Sequence, residues 1–325
     1  MKYFKDLRIV FMGTPEFAVV SLDALVKAGC NIVGVITAPD KAAGRGMQLQ
    51  QSAVKKYAVQ NNLFVLQPEK LKNPTFLDEL KSLQADLQIV VAFRMLPELV
   101  WNMPPMGSVN LHGSLLPQYR GAAPINWAII NGESVTGVTT FKLKHEIDTG
   151  DILLQESFPI GENDTAGEVH DTMKEIGAAL LVKTVKGLAD ESLKEVAQAS
   201  MANGGWSIKT AENVESHSLK HAPKLFTETC KINFNQPTET VHNLIRGLSP
   251  FPGAFTSLEG KMLKIYKSEK NLGPIRSAIA SYETDGKKFL KFTCSDGYIS
   301  VKELQLEGKK KMLVEDFLRG YHFTA

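Results

Sequence analysis

Apolar runs of strand length alternate with segments of helical spacing in the first part of the chain. Leu7 to Met12 is a short apolar run, and the segment after Gly13 repeats apolar residues at helical spacing up to Ala28. The same patterns predict further strands at residues 31–37, 64–67 and 87–93 and further helices at residues 52–61 and 73–84. Such alternation is typical of a parallel sheet with helices on both faces, so we predict an α/β, Rossmann-like fold.

The pattern changes further along the chain. Alternating, β-rich runs at residues 137–143 and 151–159 predict a mostly antiparallel extension of the sheet, and residues 165–188 predict a long amphipathic helix. Beyond a polar stretch, short strands separated by Gly and Asp turns are typical of a small β-barrel; they lie at residues 261–266, 288–293 and 298–304. We therefore expect one domain over residues 1–189, a linker over residues 190–209 and a barrel domain over residues 210–325.

The composition is that of a globular protein. The 325 residues, 43% of them hydrophobic, are enough for a substantial core and favour two domains over one. We find neither a secretory signal pattern nor an apolar run of about 20 residues that could span a bilayer, so we expect a cytoplasmic protein. Three widely separated cysteines, Cys30, Cys230 and Cys294, favour neither disulfide pairing nor a zinc site, and we expect no metal.

The net charge of +2 hides a difference between the two parts of the chain. Residues 1–205 carry 19 Lys and Arg against 22 Asp and Glu, a net −3, whereas residues 206–325 carry 18 against 13, a net +5. The positive excess is compatible with a C-terminal part that faces something anionic. A solvated surface with a chance excess of lysine explains the counts equally well.

Three polar side chains in two short motifs are the candidates for chemistry. Asn110 and His112 stand two apart at the end of a predicted strand, so they share one face, and the Gly and Pro that follow open the strand into a loop. Ligands bind at such strand ends in open α/β sheets. With Asp148 in Asp-Thr-Gly-Asp, the set offers an amide, an imidazole and a carboxylate, which indicates transfer of an activated carbonyl group. Taken separately, the motifs also suit a structural histidine and an ordinary turn.

Two common nucleotide chemistries lack support in the sequence. The turn Gly13-Thr-Pro-Glu-Phe17 is not the Gly-x-Gly-x-x-Gly dinucleotide fingerprint, and Asp40 is the one acidic residue near the end of the second predicted strand. The sequence also contains no Gly-x-x-x-x-Gly-Lys-Ser/Thr phosphate loop. We therefore disfavour a nicotinamide enzyme and ATP hydrolysis.

Taken together, the motifs resemble the folate-dependent formyltransferases over nearly the whole chain. The resemblance rests on Phe-Met-Gly-Thr-Pro-Glu-Phe-Ala at residues 11–18, Pro-Asp and Ala-Gly-Arg-Gly within residues 39–46, His-Gly-Ser-Leu-Leu-Pro at 112–117, Tyr-Arg-Gly-Ala-Ala-Pro at 119–124 and Asp-Thr-Gly-Asp at 148–151. In that family, 10-formyltetrahydrofolate donates its formyl group to an amine. The resemblance implies a formyltransferase domain followed by an OB-like barrel domain.

The resemblance also implies that Asn110, His112 and Asp148 are the catalytic residues. Formyl transfer needs a neutral attacking amine, a stabilised oxyanion and a proton that moves from the amine to the leaving folate nitrogen. Asn110 offers amide donors to the oxyanion, and His112 can donate to the same oxygen or move the proton. Asp148 can stabilise an imidazolium and help to accept the ammonium proton. Whether His112 or Asp148 moves the proton stays open.

The same resemblance implies two segments that line the pterin pocket of the donor. Their residues are Phe93, Arg94, Met95 and Leu96 in the first segment and Ser114, Leu115, Leu116 and Pro117 in the second. Apolar residues of this kind are more often plain core. Many relatives have Ala-Tyr-Gly where this chain has Ala-Phe-Arg at residues 92–94, so the contact made by Arg94 stays open.

The resemblance to the tRNA-acting members of the family implies the acceptor. In those enzymes, an arginine that matches Arg45 in the Gly-Arg-Gly loop enters the acceptor end, and the OB-like domain holds the tRNA. We therefore expect initiator methionyl-tRNA as the partner, contacts from Arg45 and Lys224, and a monomeric enzyme without a membrane segment. By spacing alone, Arg45 lies in a basic surface loop.

Three alternatives share parts of this pattern. A sugar-nucleotide N-formyltransferase has the same trio but needs neither the Arg45 loop nor a basic barrel. A folate-dependent hydrolase would use water in place of the amine. A tRNA-binding protein with a degenerate catalytic domain would have no reason to keep all three chemical groups.

Overall fold

The computed structural model describes residues 3–43, 48–200 and 219–323. The chain divides into two compact units that alternate along the sequence. The first comprises Met1–Arg120, Gly137–Ser157 and Asp171–Lys220, and the second comprises Gly121–Thr136, Phe158–His170 and His221–Ala325. The division at residues 189 and 210 that the sequence suggests stays a prediction.

A seven-stranded sheet forms the centre of the first unit. The strands up to residue 159 are β1 (Arg8–Gly13), β2 (Asn31–Ile36), β3 (Lys41–Ala43), β4 (Gln48–Gln50), β5 (Val65–Leu66), β6 (Leu87–Val91), β7 (Ser108–His112), β8 (Arg120–Gly121), β9 (Val135–Lys142) and β10 (Ile152–Pro159). The sheet has the order β10-β9-β7-β6-β1-β2-β5. The five strands from β7 to β5 are parallel, and β9 runs antiparallel to β7. The predicted Rossmann-like α/β fold and its antiparallel extension are confirmed.

Helices connect these strands. They are α1 (Glu16–Lys27), α2 (Ala53–Gln60), α3 (Pro74–Ser82), α4 (Glu98–Trp101), α5 (Pro124–Ile130), α6 (Ala166–Ala189) and α7 (Gln198–Ser200). Local sequence explains where two of them begin, because the side chains of Ser52 and Asn73 accept hydrogen bonds from backbone N–H groups of the first turns of α2 and α3. Between β1 and α1 the packing is tight, since a Cβ on Gly13 would lie 2.6 Å from the Cβ of Ala18.

One predicted loop contains a short antiparallel hairpin. The sequence predicts a long loop over residues 38–51, whereas the structure pairs β3 with β4 in antiparallel register, Lys41 opposite Gln50. Each strand is only three residues long, Lys-Ala-Ala in β3 and Gln-Leu-Gln in β4, which is too short for an alternating pattern to be recognised. At the base of the hairpin, Asp40 accepts from Lys55 at 2.5 Å and from Gln67 at 2.8 Å.

The second unit is rich in β-structure, as predicted. Its remaining elements are β11 (His221–Ala222), α8 (Thr238–Gly247), β12 (Ala254–Leu258), β13 (Lys261–Leu272), β14 (Tyr282–Thr284), β15 (Leu290–Thr293), β16 (Gly297–Leu306), β17 (Met312–Leu313) and α9 (Val314–Arg319). The antiparallel sheet has the order β12-β13-β16-β15-β14, and β17 pairs with β16. Helix α8 was not predicted from the sequence, although Val241, Ile245 and Leu248 stand at helical spacing and are buried in the core of this unit.

Candidate active site

His112 is the last residue of β7, and its two ring nitrogens face different partners. Nε2 lies 2.9 Å from the backbone carbonyl oxygen of Tyr119, which can only accept, so Nε2 carries a proton and donates it. Nδ1 lies 3.9 Å from Oδ2 of Asp148. Both side chains are largely buried, with exposed fractions of 8% for His112 and 12% for Asp148. The tautomer is therefore fixed by the backbone, and the nitrogen that faces the carboxylate is free to take up a second proton.

Asp148 reaches His112 because its loop folds back over the end of β9. Gly150 packs so closely that a Cβ there would lie 1.6 Å from the carbonyl oxygen of Lys142. The N–H of Lys142 donates to the carbonyl of Asp151 at 2.9 Å. Asp148 itself has a φ of 54°, in the left-handed region that Asp tolerates better than most residues. The glycine of the Asp-Thr-Gly-Asp motif is thus required by packing.

The half-buried side chain of Lys142 holds the start of this loop. Its Nζ donates to the carbonyl of Met106 and lies 3.8 Å from the carboxylate of Glu195. Burial lowers the pKa of Lys142, and the charge of Glu195 opposes that shift. Through these two contacts Lys142 links the end of β9 to the backbone at Met106 and to Glu195.

Asn110 lies on the same strand and the same face as His112. In the ladder it stands opposite Val90 on β6 and Phe141 on β9, and it is half-buried. No hydrogen-bond partner of its amide is found among residues 3–43, 48–200 and 219–323. Both amide donors are therefore available to a ligand, and the structure brings all three residues of the predicted trio to one end of β7.

Thr139 on β9 and Gln155 on β10 hold the loop that follows β7. Thr139 is fully buried, and its Oγ1 donates to the carbonyl of Ser114 at 2.7 Å. The same oxygen accepts from the N–H of Leu116 at 3.1 Å and from Nε2 of Gln155 at 2.7 Å, and Gln155 also donates to the carbonyl of Leu116 at 2.8 Å. The hydroxyl of Ser114 donates to the carbonyl of Gln118 at 2.6 Å. These bonds fix the shape of the predicted donor loop, Ser114 to Pro117.

The residues of this loop differ in exposure. Leu116 is 1% exposed and packs in a small cluster with Phe141 and Ile152. Leu115 and Pro117 are half-buried. Leu116 is thus part of the core, while its neighbours keep some accessible surface.

The second predicted donor segment follows β6 and is more open. Met95 is 74% exposed, whereas Phe93 and Leu96 are half-buried and pack against the core of the sheet. Arg94 is exposed as a residue, but its guanidinium donates to the carbonyls of Pro68 and Glu69, and burial lowers its pKa. The structure thus gives Arg94 a backbone contact in the adjacent loop.

The two residues predicted to contact the acceptor are Arg45 and Lys224. Arg45 falls outside the described residues. Lys224 belongs to the second unit and is exposed, with its Nζ 6.0 Å from the centroid of the Phe226 ring. Their contacts with tRNA stay a prediction.

The residues that support the trio were not predicted from the sequence. Gln198, Thr139 and Gln155 all hydrogen-bond to site loops, yet nothing in their local sequence distinguishes them from other polar residues. Thr139 could have been found from the strand register, because it stands opposite His112 in the antiparallel pair of β7 and β9. Gln198 has no such signal.

Three further properties concern the described part of the chain as a whole. None of its helices is both long enough and apolar enough to cross a membrane. It also contains no group of three or more His, Cys, Asp or Glu residues arranged to hold a metal ion. The three cysteines are buried free thiols.

Comparison with known proteins shows similarity along nearly the whole chain. Residues 7–185 match a family model described as formyl transferase, and residues 224–322 match one described as the formyl transferase C-terminal domain. A protein named methionyl-tRNA formyltransferase from Bacteroides fragilis is 51% identical over 325 residues, covering 98% of this chain and 97% of that protein. One of the same name from Parabacteroides distasonis is 52% identical over 327 residues, covering 99% and 98%.

Solved structures with the same fold include sugar-modifying enzymes. One is a sugar 3N-formyl transferase crystallised with dTDP and 5-N-formyl-THF, with a TM-score of 0.64, 24% identity and coverage of 94% of this chain and 99% of that one. Another, from Helicobacter canadensis, is an N-formyltransferase in complex with folinic acid and dTDP-3-aminofucose, with a TM-score of 0.62, 22% identity and coverage of 94% and 100%. At these identities the likeness concerns the fold alone.

Proposed function

The chain belongs to the formyl transferase family, and we propose that it transfers the formyl group of 10-formyltetrahydrofolate to the amino group of methionine on initiator methionyl-tRNA. The observation that carries the proposal is identity of about half of all residues, over nearly the full length of both chains, to proteins named methionyl-tRNA formyltransferase. The resemblance that the motifs indicate is thereby confirmed at the level of the family. Formylation of the initiator would serve the start of translation.

The geometry at the end of β7 supports separate roles for Asn110, His112 and Asp148 in oxyanion stabilisation and proton transfer. The amide of Asn110 has donors available for the formyl oxygen as it becomes an oxyanion. His112 in its neutral form keeps a lone pair on Nδ1, the atom 3.9 Å from Asp148, so it can take a proton there and become an imidazolium that the nearby carboxylate stabilises. Either His112 or Asp148 can carry the proton that leaves the attacking amine.

Two loops at the carboxyl ends of β6 and β7 suit the folate donor. The hydrogen bonds of Thr139 and Gln155 hold Ser114 to Pro117 in one conformation, so its backbone groups are presented without further ordering. Met95, exposed after β6, offers apolar surface for a flat ring. The guanidinium of Arg94, tied to backbone carbonyls, is proposed to shape this loop.

The acceptor assignment draws on other parts of the chain. Residues 206–325 carry a net charge of +5, which suits phosphate contacts that weaken as the salt concentration rises. Within that part we propose Lys224 as a tRNA contact, and we propose Arg45 for the acceptor end. We also infer that the enzyme acts as a monomer in the cytoplasm, where charged initiator tRNA is made.

The test is a product assay with three acceptors. The purified protein is incubated with 10-formyltetrahydrofolate and either charged initiator tRNA, an amino sugar nucleotide or no acceptor. We expect formyl-methionyl-tRNA with the first and no product with the others. A formylated sugar would identify a sugar-nucleotide enzyme, and formate release without an acceptor would identify a hydrolase.

A matched pair of variants tests the site itself. Asp148→Asn removes the negative charge but keeps the shape, so we expect turnover to fall by orders of magnitude while the protein stays folded. Asp171→Asn changes an exposed carboxylate that pairs with Lys174, and it serves as the control. Wild-type turnover in Asp148→Asn would contradict the assignment.

A further inference from the structure

We propose that Gln198 is a positioning residue for formyl transfer, one that holds the Asp148 loop against His112. This inference rests on the proposed function, since it concerns how the predicted catalytic carboxylate is kept in place. Gln198 is the first residue of α7 and is 2% exposed. It lies in the polar stretch that the sequence suggests as a linker.

The Gln198 side chain contacts the Asp148 loop through its amide nitrogen. Nε2 donates to the carbonyl of Asp148 at 2.9 Å and to the carbonyl of Gly150 at 2.8 Å. Both protons of one amide group therefore fix two backbone carbonyls that stand two residues apart. The loop cannot shift without breaking both bonds.

The amide oxygen faces an arginine. Oε1 accepts from Nε of Arg120 at 3.0 Å and from Nη2 at 2.6 Å. An arginine side chain only donates and a backbone carbonyl only accepts, so a single orientation of the Gln198 amide satisfies all four bonds. Neither a carboxylate nor an ammonium group could replace it, because the first cannot donate and the second cannot accept.

These bonds close a ring of contacts around the imidazole. Arg120 follows Tyr119, whose carbonyl accepts from Nε2 of His112. The chain of contacts runs from His112 through Tyr119 and Arg120 to Gln198, and from there to Asp148, whose carboxylate lies 3.9 Å from Nδ1. The two segments that face the two nitrogens of the imidazole are thus joined by one glutamine.

The position of Gln198 is itself fixed by the backbone. The N–H and C=O of Val196 exchange hydrogen bonds with those of Ile152 at 2.9 and 2.8 Å, in an antiparallel bridge at the start of β10. Ile152 directly follows the Asp148 loop. The segment that carries Gln198 is therefore already bonded to the chain next to the Asp148 loop. A positioning residue needs such a fixed backbone.

The test is a double-mutant cycle of turnover between Gln198→Met and Asp148→Asn. Met keeps the length of the side chain and removes all four bonds. We expect Gln198→Met alone to lower kcat by about 10-fold to 100-fold at saturating donor and acceptor, because displacing a catalytic group by about 1 Å has effects of that size. In the Asp148→Asn background, Gln198→Met should lower kcat by less than about 3-fold, because the carboxylate that Gln198 positions is already absent.

Two further variants make the result specific. Gln198→Glu keeps the acceptor for Arg120 and loses the donors to the loop, so its kcat should fall as far as that of Gln198→Met. Gln60→Met changes an exposed glutamine on α2 and should leave kcat unchanged. Thermal unfolding of each variant shows that the folded protein is being assayed.

Three outcomes would overturn the proposal. They are wild-type kcat in Gln198→Met, a full and independent loss of kcat in both backgrounds, and wild-type kcat in Gln198→Glu, which would assign the effect to Arg120 alone. If Gln198→Met does not fold, Gln198→Glu decides the question by itself. Failure of the proposed function looks different, because the wild-type protein would then form no formyl-methionyl-tRNA or Asp148→Asn would keep full turnover.

Discussion

Replacing Thr139 by Val should loosen the donor loop without touching the catalytic trio. Val matches the shape of Thr, so its second methyl group takes the place of the hydroxyl in this fully buried site. The change removes one bond donated to Ser114 and two bonds accepted from Leu116 and Gln155. The N–H of Leu116 and the carbonyl of Ser114 then lose a partner inside the protein.

The size of the effect follows from these bonds. Each contributes a net of about 1 kcal/mol, so we expect the free energy of unfolding to fall by about 3 kcal/mol. Gln155 keeps its bond to the carbonyl of Leu116, so the loop is loosened and stays attached. If ordering the loosened loop costs about 1.4 kcal/mol of the free energy of donor binding, the KM for 10-formyltetrahydrofolate rises about tenfold.

The assay combines urea unfolding with steady-state kinetics, and the adjacent residue supplies the control. Thr140 is equally buried on the opposite face of β9, where its hydroxyl lies 2.8 Å from that of Thr184. Thr140→Val should cost about 1 kcal/mol of stability and leave the KM for the donor unchanged. Equal donor KM values for wild-type protein and Thr139→Val would refute the idea that Thr139 organises this loop.

Three further predictions concern other parts of the chain. Gly150→Ala would put a Cβ 1.6 Å from the Lys142 carbonyl oxygen, so it should destabilise the protein by about 3 kcal/mol and lower kcat. A variant that is as stable as wild type in urea would contradict the packing argument. Backbone N–H groups of the turn lower the pKa of Asp285 from 3.8 to about 2. A lowered pKa stabilises the folded protein above pH 4, so the difference in unfolding free energy between wild type and Asp285→Asn should shrink as the pH falls from 4 to 2. A difference that stays constant over this range would contradict the prediction. Arg45→Ala should weaken formylation of methionyl-tRNA while the KM for the donor stays the same, and unchanged rate and affinity for tRNA would exclude the proposed role.

Local patterns in the sequence determine much of the fold. The strand and helix periods around β1, α1 and β6 predict the parallel sheet, because a buried parallel strand must be apolar on both faces and its crossover helix must have one apolar face. Asn110 and His112 are likewise predictable as neighbours, since the pleat of β7 puts residues two apart on one side. These features depend on residues close in sequence, and the family motifs add the chemistry.

Only the tertiary structure determines which distant residues meet at the site. Asp148 meets His112 because Gly150 lets the loop fold back over Lys142, and that approach depends on backbone packing that no periodicity records. Gln198 lies 50 residues from Asp148 and 78 from Arg120 along the chain, in a polar stretch typical of a linker. A buried polar residue is distinguished from an exposed one by its distant hydrogen-bond partners, and those partners are set by the fold.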